Sequence, residues 1–400
     1  MKHVLFMSNG HGEDTVGVHI ALALREFAPQ LSIEAFPIVG TGTSYSKNGF
    51  AIAGPTREMP SGGFLYQSLG YIVRDVASGL VGLTIKQLAS LRSMRSRFAL
   101  AIGVGDNVPL FFNSLALRTP MVFVGVARSA RYKDGRNPYS RLECNIMRKW
   151  CKKVFVRDPE TRDALNREGV PASYVGNPMM DCLEVSTTIP DFLESETVIG
   201  ILPGSREEAY SHIQFLLPVL KEFAMRFRKP ITFAFALANT LDFDLVLDIA
   251  SQSLNTSGAP VANSSWQKPH RAVEYALEGG SKIVMATNLF GEILATSAVV
   301  IGLSGTGNEQ AAGMGCPIII FPGDGPQITE RFVRKQKKLL GEALSVVRRD
   351  PGEIMRNIEG LLLDPQRREA MSREGRRLLE GKGSCHRIAA EIVDVLEGGL

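Results

Sequence analysis

Two features that mark other classes of protein are missing from this sequence. No stretch approaches the run of about 20 nearly uninterrupted apolar residues that a membrane-spanning helix needs. The 45 basic and 41 acidic residues leave a formal net charge of only +4, which is too small to attract nucleic acid over the whole surface. We therefore expect a soluble or peripheral protein with no nucleic-acid partner.

Cysteines are few and are not arranged for a metal cluster or a disulfide framework. The five stand at Cys144, Cys151, Cys182, Cys316 and Cys385, without a Cys-x-x-Cys pair. Near the amino terminus, residues 1–10 form a short apolar run that ends in a glycine turn, without the cleavage site of a signal peptide. These features predict reduced thiols, no metal and a cytoplasmic location.

The sequence does contain enough apolar material for two packed cores. Its 400 residues exceed the usual size of one domain, and 44% of them are hydrophobic. Short apolar runs alternate with amphipathic stretches of helical length, which predicts α/β domains with buried parallel strands. The predicted strands are residues 3–7, 32–37, 98–104 and 121–126 in the first half, and residues 197–202, 231–237, 282–286, 298–301 and 317–321 in the second.

A polar stretch at residues 178–196 separates the two series of strands. We therefore predict an amino-terminal domain of residues 1–178 and a carboxy-terminal domain of residues 179–400. Residues 384–400 have apolar side chains at helical spacing. This last helix can pack on either domain, and the sequence leaves that choice open.

The first predicted strand ends in a turn that is rich in glycine and reactive side chains. Ser8-Asn9-Gly10-His11-Gly12-Glu13-Asp14 precedes a helix predicted at residues 15–28. Ligands of α/β sheets meet the N–H groups of helices at such strand ends. The alternative is structural, because tight turns need glycine for steric reasons and Asp14 can simply cap the helix.

A second carboxylate follows the strand of residues 98–104. Gly105-Asp106-Asn107 come directly after its last residue, where the carboxyl end of a parallel strand meets the ligand crevice. A general base that accepts the proton of a sugar hydroxyl belongs at such a place. The alternative is that Asp106 only caps the helix predicted at residues 108–117.

In the second half, a glycine turn followed by an arginine predicts a phosphate site. The strand that ends at Leu202 leads into Pro203-Gly204-Ser205-Arg206. Backbone N–H groups, a hydroxyl and a guanidinium together can bind a diphosphate. The geometry of a turn explains Gly204 but not the arginine beside it, so we favour a functional role.

The most informative segment spans residues 301–317. Ser304-Gly305-Thr306-Gly307 follows a strand and opens a helix of small residues, so that the amino terminus of the helix can approach a phosphate closely. The acid in this segment, Glu309, can then hold the hydroxyls of a ribose. The loop of residues 322–327, which ends in Gln327, follows the next strand and faces the same crevice.

Three motifs resemble those of one glycosyltransferase family. Tyr174-Val175-Gly176-Asn177-Pro178-Met179-Met180-Asp181 is similar to that family's YVGHPLxD segment, with Asn177 in place of the histidine. Leu202-Pro203-Gly204-Ser205-Arg206 is similar to its LPGSR turn, and Ser304-Gly305-Thr306 followed by Ala311-Ala312 to its SGTxTLEAA loop. Over nearly its whole length the chain resembles the lipid-A-disaccharide synthases, and especially the lipid-A-disaccharide synthase-related subgroup.

The resemblance implies a GT-B fold, in which two Rossmann-like domains with parallel sheets face each other across a cleft. It implies an inverting, metal-independent transfer of a sugar of the N-acetylglucosamine type from a UDP-sugar to a membrane lipid, without a cofactor. The first domain would bind the lipid acceptor and the second the nucleotide-sugar donor. Arg206 and helix dipoles would stabilise the charge of the leaving group.

The strand-end positions and the resemblance together give candidate residues for each role. Asp106 lies where the family has its essential aspartate and is the first choice as catalytic base, with Glu13 and His11 as alternatives. The donor-binding candidates are Gly204, Ser205, Arg206, Ser304, Gly305, Thr306, Glu309, Gln310 and Gln327. The acceptor-side candidates are Gly10, Gly12, Asp14 and Asn107. The family's ribose-binding glutamate aligns with Gln310 and leaves Glu309 one residue early, so both stay open.

Residues 62–97 combine aromatic and aliphatic side chains with several basic ones. Such a surface binds an anionic leaflet, which predicts a peripheral protein at the inner face of the cytoplasmic membrane. The alternative is two ordinary amphipathic helices with buried apolar sides. Two other functions also stay open: a UDP-sugar 2-epimerase, which shares the two-domain architecture, and a non-catalytic protein that binds nucleotide sugars.

Overall fold

The structure is a computed structural model that describes residues 2–57, 80–195, 197–227, 229–260 and 270–398. The chain divides into two compact units, Met1–Cys182 with Gly381–Leu400 and Leu183–Glu380. The division after Cys182 falls within the polar stretch at residues 178–196. The predicted domain of residues 179–400 differs from the second unit at its end, because residues 381–400 pack with the first unit.

The first unit is built on a parallel sheet with the strand order β3-β2-β1-β4-β5-β6-β7. Its strands are β1 His3–Ser8, β2 Ser32–Pro37, β3 Ala51–Ile52, β4 Leu100–Val104, β5 Met121–Gly125, β6 Cys151–Val156 and β7 Ala172–Ser173. The chain reverses its direction of winding between β1 and β4. Ligands of open α/β sheets bind at such a switch point, outside the carboxyl ends of the strands.

Helices cover both faces of this sheet. Those before the domain boundary are α1 His11–Phe27, α2 Thr43–Lys47, α3 Leu80–Ser93, α4 Val108–Phe112, α5 Arg141–Trp150 and α6 Pro159–Arg167. Val4 and Phe6 of β1 belong to one apolar cluster, whereas Leu5 and Met7 belong to another. Since successive side chains of a strand point to opposite faces, this division shows that β1 is buried on both sides.

Helix α1 begins earlier than the sequence predicted. It starts at His11 and not at Thr15, so that Gly12, Glu13 and Asp14 form its first turn. Carboxylates are favourable there because the helix dipole places partial positive charge at the amino terminus. The reactive residues of the turn are therefore held on a helix.

The second unit repeats the same winding. Its sheet has the order β10-β11-β12-β9-β8-β13-β14-β15, in which β11 pairs antiparallel with β10 and β12 and the other described pairs are parallel. The strands are β8 Val198–Leu202, β9 Thr232–Leu237, β10 Ala259–Pro260, β11 Ala272–Ala276, β12 Lys282–Thr287, β13 Ser297–Gly302, β14 Ile318–Ile320 and β15 Leu344–Val346. The switch point of this sheet lies between β8 and β13.

The helices of the second unit are α7 Glu208–Arg226, α8 Phe243–Leu254, α9 Phe290–Thr296, α10 Thr306–Met314, α11 Glu330–Leu340, α12 Pro351–Leu363 and α13 Pro365–Leu379. Asp242, Thr329, Asp350 and Asp364 cap the first turns of α8, α11, α12 and α13 through side-chain oxygens. These caps accept backbone N–H groups that have no partner inside a helix.

The last helix, α14 Ser384–Glu397, packs on α1 in the first unit. The carboxylate of Asp181 accepts hydrogen bonds from the backbone N–H groups of Gly383 (2.5 Å) and Cys385 (2.6 Å). The Arg387 guanidinium donates to the Val175 carbonyl at 2.8 Å. The segment that resembles YVGHPLxD therefore serves here as the docking site of α14.

The predicted membrane surface at residues 62–97 is described only from Leu80 onward, and residues 62–79 lie outside the described residues. In α3, Val81 and Ile85 are 55% and 63% exposed although both are large and apolar. Across the described ranges, no helix is both long and apolar enough to cross a membrane.

Candidate functional site

Two of the predicted catalytic residues, Asp106 and Glu13, lie at the switch point of the first unit. The Asn9 amide, directly after β1, donates to Oδ2 of Asp106, directly after β4, at 3.0 Å. Asn9 and Asp106 are 4% and 9% exposed. Two parallel strands that are neighbours in the sheet thus bring residues almost a hundred positions apart into one polar cluster.

Asp106 also binds the first turn of the helix that follows it, which is the structural role that the sequence left open. Its Oδ1 accepts the backbone N–H of Val108 at 2.9 Å, at the start of α4. Burial raises the pKa of Asp106, while the hydrogen bonds from Val108 and Asn9 and the positive charge of Arg128 lower it. Both oxygens of this carboxylate are therefore already engaged, and a cation stands nearby.

Glu13 lies against the same turn. Its side chain packs on Gly105, where φ is +117° and a Cβ atom would stand 2.4 Å from Cγ of Glu13. Burial is the largest cause that raises the pKa of Glu13 to about 7, and the negative charges of Asp106 and Asp14 also raise it. A hydrogen bond from the backbone N–H of Glu13 to its own carboxylate lowers the pKa in part. A carboxylate with a pKa near 7 suits a general base at neutral pH.

The acceptor-side candidates occupy different environments. Gly10 precedes α1, and Gly12 lies exposed on its first turn with open space beside it. Asp14 is only 1% exposed and accepts the Ser8 hydroxyl at 2.6 Å. The Ser8 hydroxyl lies 3.1 Å from that of Tyr45, which is fully buried. Asp14 is thus a member of a buried network beneath the turn, and His11 is placed only as the first residue of α1.

Asn107 leads to a buried polar network that the sequence analysis missed. Its amide donates to Glu143, which is 4% exposed. Arg128 forms an ion pair with Glu143 at 3.1 Å and lies over the ring of Tyr139. The capping pattern Ser140-x-x-Glu143 at the start of α5 explains Glu143 locally. Only the fold shows that this glutamate also holds the turn that carries Asp106.

The predicted donor residues of the second unit border a pocket of about 290 Å³ at the switch point between β8 and β13. Among the predicted residues, its lining includes Gly204, Ser205, Ser304, Thr306 and Gln310. Gly204 has φ +107°, and a Cβ atom on it would stand 3.2 Å from the Leu303 carbonyl oxygen. Glycine is therefore required both for the backbone conformation and for the close approach of the two turns.

Helix α10 presents its amino terminus to this pocket through Thr306 and Gly307. The Gly307 N–H is 3.3 Å from the Ser304 hydroxyl. Backbone N–H groups at a helix start, with the helix dipole behind them, form a site for an anion such as phosphate.

The other donor candidates do not line this pocket. Arg206 and Gly305 are half-buried, Glu309 is buried, and the backbone N–H of Gln327 donates to Glu208 at 2.6 Å. Of the two residues left open for the ribose, Gln310 borders the pocket and Glu309 does not. No group of His, Cys, Asp and Glu side chains within the described ranges is arranged to hold a metal ion.

Two asparagines in the pocket were missed by the sequence analysis. Asn239 and Asn288 follow β9 and β12, and the Asn239 amide donates to the Asn288 side-chain oxygen at 2.6 Å. Asn288 has φ +59°, which is uncommon for a residue other than glycine and is found often at functional sites. The signal was available, because both are polar residues two positions after the end of a predicted buried strand.

The sequence is similar to those of lipid-A-disaccharide synthases, which confirms the resemblance of the motifs. It is 25% identical to the enzyme of Syntrophus aciditrophicus over 237 residues, covering 57% of this chain and 49% of that protein. It is 26% identical to the enzyme of Trichlorobacter lovleyi over 254 residues, covering 57% and 58%. The matches thus span about half the length of these relatives, and no profile of a protein family matches the chain.

Solved structures match the chain over its whole length. A putative UDP-N-acetylglucosamine 2-epimerase from Listeria monocytogenes has a TM-score of 0.63 at 15% identity, covering 100% of this chain and 98% of that one. The calicheamicin glycosyltransferase CalG4 has a TM-score of 0.59 at 16% identity, covering 100% and 98%. The UDP-GlcNAc 2-epimerase from Neisseria meningitidis, bound to UDP-GlcNAc, has a TM-score of 0.58 at 17% identity, covering 98% and 99%. The predicted fold class, a GT-B fold of two Rossmann-like domains, is confirmed.

Proposed function

We propose that this protein is an inverting glycosyltransferase that moves a sugar from a UDP-sugar to a membrane lipid. The observation that carries the proposal is the pocket between β8 and β13, where two glycine turns and the amino terminus of α10 create a site for the diphosphate. The names of the relatives, lipid-A-disaccharide synthases, support transfer to a lipid and a sugar of the N-acetylglucosamine type.

The donor half of the reaction rests on the second unit. Ser205, Ser304 and Thr306 supply hydroxyl groups, and α10 supplies backbone N–H groups and its dipole. We further propose that Arg206, next to Ser205 in the chain but outside the pocket lining, brings a guanidinium to the departing diphosphate when UDP binds. These groups stabilise the negative charge that UDP gains as its bond to the sugar breaks, so the proposed transfer is metal-independent.

For the acceptor half, we propose Glu13 as the general base and Asp106 as the neighbouring charge that helps to raise the pKa of Glu13. Asp106 is held on both oxygens, whereas Glu13 packs on Gly105 and remains half-buried. Glu13 takes the proton of the acceptor hydroxyl. The hydroxyl oxygen of the acceptor attacks the anomeric carbon at the same time, on the face opposite the leaving UDP. The new C–O bond forms as the old one breaks, which inverts the anomeric centre.

Exposed apolar side chains on α3 support a lipid acceptor. Val81 and Ile85 stand one helical turn apart and face solvent, and Arg92 lies in the last turn of the same helix. Apolar side chains beside basic ones favour an anionic membrane surface. We therefore propose peripheral attachment at the inner face of the cytoplasmic membrane, where a lipid acceptor would be available.

The function is tested by incubating the purified chain with UDP-N-acetylglucosamine, with and without vesicles of candidate lipid acceptors, and analysing the products by mass spectrometry. A transferase releases UDP and forms a glycosylated lipid only when a suitable acceptor is present. A change in the sugar without any lipid would instead show the epimerase, which the likeness to epimerase structures keeps as the second candidate. Binding of UDP without conversion under any condition would indicate a sensor.

The base is tested by comparing Glu13→Gln with Asp106→Asn, since both substitutions keep the shape of the side chain. Glu13→Gln should lose roughly 10²–10⁴-fold in turnover, which is the usual contribution of a general base. Asp106→Asn should keep much of its turnover but shift the acid limb of the pH–rate profile to lower pH, because the Asp106 charge that raises the pKa of Glu13 is gone. The opposite pattern would make Asp106 the base.

A further inference from the structure

We infer that His212 is a positioning residue for the donor diphosphate, because as a neutral imidazole it joins the turn of residues 203–206 to the loop of residues 322–328. This inference rests on the proposed donor pocket. His212 lies on the second turn of α7 and is 1% exposed, beneath the turn that carries Gly204 and Ser205. It lies outside the pocket lining and acts through the residues that form it.

The tautomer of His212 follows from its contacts. Nδ1 lies 2.8 Å from the carbonyl oxygen of Pro203. A carbonyl can only accept, so Nδ1 carries the proton and donates it. Nε2 is then a bare acceptor, and it is buried without a hydrogen-bond partner among the described residues. The Nδ1 edge of the ring thus holds the glycine turn through the Pro203 carbonyl. The Nε2 edge makes no hydrogen bond to the described residues.

The free edge of the ring meets the second loop. A Cβ atom on Gly323 would stand 2.4 Å from Nε2 of His212, so that only glycine allows the loop to approach the ring this closely. The loop is closed by a hydrogen bond from the Gly323 N–H to the Ile328 carbonyl at 2.7 Å. His212 therefore fills the space between the Pro203 carbonyl and the start of this loop.

Glu208, one turn earlier on α7, fastens the other end of the loop. Its carboxylate accepts the backbone N–H of Gln327 at 2.6 Å and that of Ile328 at 3.4 Å. A single helix therefore braces two loops that follow β8 and β14. Displacement of His212 would move the turn with Gly204 and Ser205 without removing any group that lines the pocket.

The brace requires an uncharged ring. Burial lowers the pKa of His212, while the hydrogen bond to the Pro203 carbonyl raises it in part. Three charged groups also face the ring: Glu208 and Asp324, which raise the pKa, and Arg349, which lowers it. Arg349 pairs with Asp324 and lies over the Phe215 ring of α7. Protonation would place an N–H on Nε2 against Gly323, where no acceptor stands, and would add a buried charge. The turn is therefore expected to loosen as pH falls through the pKa of His212.

The test measures binding of UDP by calorimetry at several pH values between about 5 and 8, the range in which histidines usually titrate. In the wild type, affinity should fall on the acid side. His212→Asn keeps an N–H near the position of Nδ1 and cannot be protonated, so its affinity at neutral pH should be close to that of the wild type. The terminal phosphate of UDP takes up a proton near about pH 6, which weakens binding to every variant, so the affinity of His212→Asn should fall less steeply on the acid side than that of the wild type. His212→Phe leaves the buried Pro203 carbonyl without a donor and should bind UDP about tenfold more weakly.

The matched control is His386→Asn, which removes an exposed histidine of the first unit and should leave UDP binding unchanged. Thermal melting of every variant confirms that it is folded at the pH of each titration. If His212→Phe is folded and binds UDP as the wild type does, or if the affinity of His212→Asn falls at acid pH as steeply as that of the wild type, the inference is overturned. Failure of the wild type itself to bind UDP would refute the donor pocket of the proposed function instead.

Discussion

Replacing Glu13 by glutamine should stabilise the protein at the pH where it works, while it removes activity. The pKa of Glu13 rises from its ordinary value of 4.5 to about 7 in the folded state, with burial as the largest cause. The unfolded chain has no such burial, so its Glu13 ionises near the ordinary value. Between the two pKa values, the unfolded state loses a proton that the native state keeps, and the native state becomes relatively less stable.

The size and sign of the effect follow from this difference. Below about pH 4, Glu13 is protonated in the folded and the unfolded state, and its contribution to the free energy of unfolding is fully present. This contribution is lost as the pH rises toward 7 and does not return at higher pH. A difference of about 2.5 between the pKa values (from 4.5 to about 7) corresponds to about 3.5 kcal/mol, at about 1.4 kcal/mol for each pKa unit. Because Glu13 is half-buried and water screens part of the cost, we expect a gain of about 1–3 kcal/mol for Glu13→Gln at pH 8.

Melting curves measure this gain directly. For a unit of this size, 1 kcal/mol shifts Tm by roughly 2–4 °C, so Glu13→Gln should melt several degrees above the wild type at pH 8. The difference should shrink as the pH falls toward 4. Glu26→Gln, an exposed position near the end of the same helix, should change Tm little at either pH. Equal melting of the wild type and Glu13→Gln at pH 8 would show that Glu13 ionises normally, and the argument for it as the base would fail.

Three other predictions concern different parts of the molecule. Ser304→Ala and Arg206→Ala should each weaken UDP binding by about one to two decades, as loss of a charge-assisted hydrogen bond implies; unchanged affinity in both, measured by calorimetry, would place the donor elsewhere. Asp181→Ala should lower the free energy of unfolding by about 2–4 kcal/mol, because two backbone N–H groups at the start of α14 lose a charged acceptor, whereas the helix cap Asp364→Ala should cost only about 1 kcal/mol in the same chemical denaturation. The chain should sediment with anionic vesicles more than with neutral ones, and less at high salt; full recovery in the supernatant under every condition would contradict the membrane surface.

Local patterns were sufficient for the parts of the fold that depend on neighbouring residues. The predicted strand at residues 32–37 has the bounds of β2, and the one at residues 121–126 is one residue longer than β5, because a buried parallel strand is a nearly continuous apolar run. Short strands such as β7 and β10 were missed, since two residues carry no periodicity. The same reasoning placed Gly204 and Asp106 after strands, where a sheet exposes its ligand edge.

What the sequence by itself determined was the order of strands and helices and the chemical groups that stand where strands end. Only the tertiary structure decided which of those groups meet. Strand pairing brings Asn9 to Asp106, and the absence of a Cβ atom on Gly105 lets Glu13 pack on the turn and lose water, which no pattern of neighbours encodes. The choice of Gln310 over Glu309 at the pocket and the return of α14 to the first unit depend likewise on side-chain direction and long-range packing, which form only when distant segments are brought together.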